Sequence, residues 1–165
     1  KRALGLLKDN DTISAQSVAQ TRLDYAYLLM THLGRVAEAQ PLLELALIDL
    51  ETAGVHDGGV VRFGQKAYAM CLSQLGQTDE ALATYDRLLV QQRKDLGEFH
   101  PDVAETLHNL ALIEKNLNRP TQALERHEEC LNVLEQAYPP GHPLFGYCYA
   151  GMAEMKFLLK ILLAP

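Results

Sequence analysis

Apolar residues recur along this chain with a helical period. Leu23, Ala26, Tyr27 and Met30 fall at i, i+3, i+4 and i+7, the spacing that lines one face of an α-helix. Leu107, Leu110 and Ala111 repeat it, with Glu114 as the polar exception on that face. No alternation of useful length points to a strand. Leu33-Gly34 and Leu75-Gly76 close two such stretches, and glycine in that place suits a left-handed helix C-cap. A second helical pattern follows each, so the unit is a helical hairpin. The predicted map has a truncated helix and linker over residues 1–13, then hairpins over 14–57, 58–98 and 99–139, and a terminal helix over 140–165. The turns fall near Gly34, Gly76 and Asn118, and the linkers carry Gly58-Gly59, Gly97 to Pro101, and Pro139 to Pro143. Pro41 lies roughly a turn into the second helix of the first hairpin. Its missing N–H predicts a bend there or a loose first turn.

The hairpins repeat every 42 residues. Gly34, Gly76 and Asn118 keep that interval, as do Ala39, Ala81 and Ala123, and His100-Pro101 returns as His142-Pro143. Each alanine is followed four residues later by Leu43, Tyr85 or His127. A small residue lets two helices approach, and the larger one fills the adjoining gap. The predicted fold class is therefore all-α, an α-solenoid of antiparallel helical hairpins.

Composition mainly excludes. Of 165 residues, 48% are hydrophobic and 22% charged, which fits neither a disordered chain nor a membrane protein. Fifteen Lys and Arg against twenty-one Asp and Glu give a net charge of −6, the wrong sign for a nucleic-acid surface. Cys71, Cys130 and Cys148 show no C-x-x-C spacing, so neither a disulfide framework nor a zinc motif is indicated. Reduced thiols in the cytoplasm are the simplest reading. Lys1 stands first in place of Met with no signal segment after it, and the chain reads as a piece of a longer protein.

A hairpin with small residues at these points resembles the tetratricopeptide repeat. The usual unit is about 34 residues, and the longer unit here resembles the repeats of kinesin light chain. The stretch Leu96-Gly97-Glu98-Phe99-His100-Pro101-Asp102-Val103-Ala104-Glu105-Thr106-Leu107-His108-Asn109-Leu110-Ala111 looks like that family's L-G-x-x-H-P-D-V-A-x-x-L-N-N-L-A. Ala37 to Leu43 is similar to its A-E-A-E-P-L-Y, Pro41 included. The sequence departs from the family at Gly58-Gly59, where His-Pro would stand, at Asn118 in place of Gly, and at His127 in place of an aromatic. The resemblance implies a right-handed superhelix whose first helices line a concave groove, and a module that holds a partner peptide or helix there. It also implies cytoskeletal association, as for a cargo adaptor.

On that register the first helices present Asp24 and Tyr25, then Lys66, Met70 and Gln74, then His108, Asn109, Leu112, Lys115 and Asn116, with Arg119 in the turn. Leu28 and His32 share the first of these faces. By the resemblance, Asn109 matches the asparagine that holds an extended peptide. An amide offers a peptide backbone both a donor and an acceptor, and Lys66, Lys115 and Arg119 would favour an acidic partner. Tyr25 and Met70 read as packing residues of the groove wall.

His100 and His142 read as linker-turn residues, and His127 as a half-buried core histidine. No three histidines or cysteines stand at ligand spacing, so no metal and no cofactor is expected. G-x-S-x-G, the P-loop and H-E-x-x-H are all absent, so the segment is not read as an enzyme. The last helix is apolar on nearly every side, yet too short and too charged to span a bilayer. Phe157, Leu158, Ile161 and Leu162 on it would be covered by a second copy or by the next repeat, or the helix folds back onto the third hairpin and is simply apolar at its end. The leading function is a protein–protein interaction scaffold. The alternatives are a self-association module that uses the terminal helix, and a regulatory segment of a larger enzyme or signalling ATPase.

Overall fold

The computed structural model describes residues 2–56 and 58–162, with side chains from residue 15 onward. The described residues form seven helices and no strand: α1 (Arg2–Thr31), α2 (Val36–Thr52), α3 (Gly59–Gln74), α4 (Thr78–Leu96), α5 (Pro101–Asn116), α6 (Pro120–Ala137) and α7 (Pro143–Leu162). They divide into two compact units, Lys1–Thr84 and Tyr85–Pro165.

Each hairpin turns at a residue with positive φ: Gly34 at 64°, Gly76 at 78° and Asn118 at 56°. After α3 the Gly76 N–H donates to the Ser73 carbonyl at 3.2 Å, and the Gln77 N–H to that of Leu72 at 2.9 Å. After α5 the N–H groups of Asn118 and Arg119 make the same pair of bonds to Lys115 and Glu114, both at 2.9 Å. These two bonds satisfy carbonyls that a helix end leaves without partners. Asparagine can stand in for glycine here because its short side chain tolerates the left-handed region.

The His-Pro pairs start the next helices. His100 Nδ1 accepts the backbone N–H of Asp102 at 3.1 Å, and His142 Nδ1 accepts that of Leu144 at 3.4 Å. The histidine is thus an N-cap acceptor, and Pro101 fills the first helical position, where its missing N–H costs nothing.

In the first unit α1, α2 and α3 pack against one another. Ala19, Leu23, Ala26, Leu29, Leu43, Ala46 and Leu50 are buried at its centre. Gly64 lets α3 come close: a Cβ there would lie 3.0 Å from Leu47 and 3.3 Å from Leu23. In the second unit α5, α6 and α7 pack in the same way around Leu107, Leu110, Ala111, Ala123, Leu134 and Met155.

One local expectation changes. No linker separates a truncated helix from the first hairpin, because α1 runs unbroken from Arg2 to Thr31. Residues 6–31 hold neither Gly nor Pro, and polar residues such as Asn10 and Asp11 do not by themselves stop a helix. Pro41 lies inside α2, as its position in the chain suggests. Pro41 and Ala37 are both exposed, so the carbonyl that loses its partner can turn to water.

The turn chemistry predicts opposite signs for three substitutions. Gly76→Ala should lower stability by about 1–2 kcal/mol, because it puts a Cβ on left-handed backbone. Asn118→Gly should be neutral or slightly stabilising. Gly146→Ala should gain about 0.5–1 kcal/mol, since that helical glycine has open space where the Cβ would go. Urea midpoints of the three variants check this ranking.

Candidate functional site

In the first unit the proposed partner residues lie on the neighbouring faces of α1 and α3. Asp24, Tyr25, Leu28 and His32 are exposed along α1, and Gln20 donates to the Asp24 carboxylate at 2.8 Å. On α3, Gln74 is exposed and Lys66 is partly buried and already engaged with a neighbour. Met70 packs against the core, as a wall residue should. Tyr25 is 49% exposed, so about half of it faces solvent. Tyr27, two residues on, makes a ring contact, 5.8 Å from Phe63.

In the second unit α5 and α7 present the corresponding faces. Leu112, Asn116 and Arg119 are exposed and Asn109 is partly so. The Asn109 side chain has no hydrogen-bond partner among the described residues. The two candidate cations of this unit are occupied inside the chain. Lys115 Nζ donates to Glu154 of α7 at 2.8 Å, and Arg119 pairs with Glu114 at 3.8 Å. That second pair accounts for the one acid on the apolar face of α5: Glu114 is buried and Arg119 answers its charge.

His108 is also placed differently from the sequence expectation. Its ring turns inward between α5, α6 and α7, 5.7 Å from the ring of His127 and 5.8 Å from that of Tyr147. His127 is fully buried, not half-buried, with 1% of its surface exposed. The expectation that no metal-type ligands converge therefore fails. Side-chain donor atoms of His108, His127 and Cys148 all lie within 4.8 Å of one another. Cys148 Sγ is 3.1 Å from Cys130 Sγ, and Cys130 donates to the Ala104 carbonyl at 3.1 Å. The Cys130 thiol holds Cys148 below the ordinary thiol range, against the burial that pushes the other way, and His108 and His127 add to the lowering. Cys130 is pushed up by Cys148 and by burial. Chain spacing gave no sign of this cluster, because its members come from three helices.

The terminal helix keeps its apolar exposure. Phe157 is 64% exposed, Ile161 56% and Leu162 60%, and Leu158 is partly covered. No helix among the described residues is long and apolar enough to cross a membrane.

Residues 65–136 match the family model described as tetratricopeptide repeat. The described helices have an all-α tetratricopeptide-repeat fold. Its backbone is similar to a putative kinesin light chain with nearly identical TPR-like repeats from Podosopora anserina, at a TM-score of 0.74 and 20% identity. That match covers 86% of this chain and 66% of the other, so the chain spans just under two-thirds of that protein's length. BtubC (BKLC) from P. vanneervenii is similar at a TM-score of 0.71 and 18% identity, over 99% of this chain and 75% of that one. A search of curated proteins gives no match. In the tetratricopeptide frame, α1, α3, α5 and α7 are first helices, so the candidate residues of each unit lie on first helices.

Lys115 and Glu154 are both partly exposed, and such a pair contributes little to stability. Glu154→Gln should shift the unfolding free energy by less than about 1 kcal/mol. It should also release the Lys115 ammonium, seen as faster modification of that lysine by an amine-reactive reagent.

Proposed function

We propose that this chain is a protein–protein interaction scaffold that holds an extended peptide along its first-helix faces. The reading rests on Asn109, an amide with no hydrogen-bond partner among the described residues on a partly exposed face, flanked by the exposed Leu112 and Asn116. An amide with donor and acceptor both free suits a peptide main chain, and the neighbouring leucine suits an apolar side chain of the same ligand. The tetratricopeptide fold supports the class. A cargo-adaptor role like that of a kinesin light chain, in the cytoplasm and near the cytoskeleton, is the specific form we favour.

Preference for an acidic partner is weaker than the sequence implied, because Lys115 and Arg119 already face Glu154 and Glu114. Selection from a peptide library on the intact chain should return extended peptides. Asn109→Ala should weaken them about tenfold, the usual scale for losing a paired amide. Val90→Ala, on an exposed residue of the second helix α4, should leave affinity unchanged. Equal loss in both variants, or in neither, would remove the groove reading.

A second reading comes from α7. Phe157, Ile161 and Leu162 form an exposed apolar face that a second copy could cover. On this reading light scattering shows a mass that rises with concentration, and Phe157→Glu returns it to the monomer value. A monomer at every concentration removes self-association.

A further inference from the structure

We propose that His108, His127 and Cys148 form a binding site for one zinc-class divalent metal ion. Two imidazoles and a thiol are the donor set such ions prefer. An ion with bonds of 2.0–2.3 Å sets tetrahedral donors about 3.3–3.8 Å apart. The three donor atoms lie within 4.8 Å of one another, so small side-chain rotations bring them onto it.

Three observations favour a ligand site over a packed core. The first is His127. It is 1% exposed, and neither of its ring nitrogens has a hydrogen-bond partner; Nδ1 of His108 is buried and also lacks one. A neutral imidazole offers one ring lone pair as an acceptor, and burying that acceptor with no donor to meet it is unfavourable. A metal ion answers one nitrogen on each ring.

The second is Gly151. A Cβ there would lie 2.2 Å from His127 Nε2, so the absence of a side chain on α7 is what admits the ring. The third is the repeat itself. Two repeats of 42 residues earlier, the positions of His127, Cys130 and Cys148 are held by Leu43, Ala46 and Gly64. All three are buried, and the first unit packs there with no polar group. The hairpin stack therefore does not need imidazole or thiol at these places. They occur where α5, α6 and α7 meet in the second unit, and they occur together.

The site is closed on the His127 side and open beside His108, which is partly exposed. An ion can reach it there, and a water or an incoming ligand can take the fourth position. Cys130 sits behind Cys148 and orients its sulfur. Outer partners of this kind commonly alter metal affinity by about 10–100-fold.

The test uses the intact chain, purified with a phosphine reductant in metal-free buffer and titrated with Co(II) as the probe. A single cobalt should bind per chain, with a sulfur-to-cobalt charge-transfer band, and Zn(II) should displace it. Cys148→Ser should abolish the band. His108→Asn, at the half-exposed ligand, should keep the helical circular dichroism and weaken cobalt by at least about 10–100-fold. Gly151→Ala should also weaken it, by forcing the His127 ring aside. Cys71→Ser and His142→Ala lie outside the cluster and should bind as the parent does. Failure of the parent to retain cobalt on gel filtration overturns the proposal. So does unchanged binding by a folded His108→Asn chain, or loss of binding in Cys71→Ser or His142→Ala.

Discussion

Two helices of this length can lie antiparallel only if the chain reverses within a few residues, and the reversal here needs one residue on left-handed backbone. Gly34, Gly76 and Asn118 supply it. Their position fixes what comes next. Five residues on stand Ala39, Ala81 and Ala123, each fully buried, and four further on stand Leu43, Tyr85 and His127, also buried. A turn longer or shorter by one residue would rotate the second helix by about 100° and carry the alanine off its partner. The small residue at the close approach thus depends on the turn, and the core of each unit depends on both.

This dependence explains why the fold could be read from the chain. Positive-φ turns, buried alanines and His-Pro starts all act locally, and each restricts residue choice strongly enough to recur at a fixed interval. What escaped was also local but negative. Position in the chain already put Pro41 inside this helix, but it did not show that exposure lets water take the carbonyl it leaves, which is a tertiary fact. The unbroken α1 shows that Asn10, Asp11 and Thr12 are permissive for a turn without requiring one.

The partner residues were less legible for a different reason. A helix register says which residues leave the core, and Asp24, Leu112, Asn116 and Arg119 do leave it. It does not say what they meet. Lys115 reaches a carboxylate 39 residues later on α7, and His108 reaches His127 on α6 and Cys148 on α7. Both outcomes depend on how one hairpin stacks on the next, and a helix period carries no information on that.

The same stacking joins the two surfaces of interest in the second unit. Asn109 and Leu112 face outward from α5, while His108, next to Asn109 in sequence, faces α6 and α7. Two links tie α5 to α7: the half-exposed Lys115–Glu154 pair, and the contacts of His108 with Tyr147 and Cys148. The first is of the kind that salt and solvent weaken. An ion held by His108 and Cys148 would add a bond between these helices that salt does not screen. It would fix their spacing, and with it the distance between the two first-helix faces proposed to hold a peptide. Metal occupancy and peptide affinity would then be linked, each raising the other by the same factor. The coupling needs no moving part, only a stack whose faces are set by how closely α5 and α7 are held.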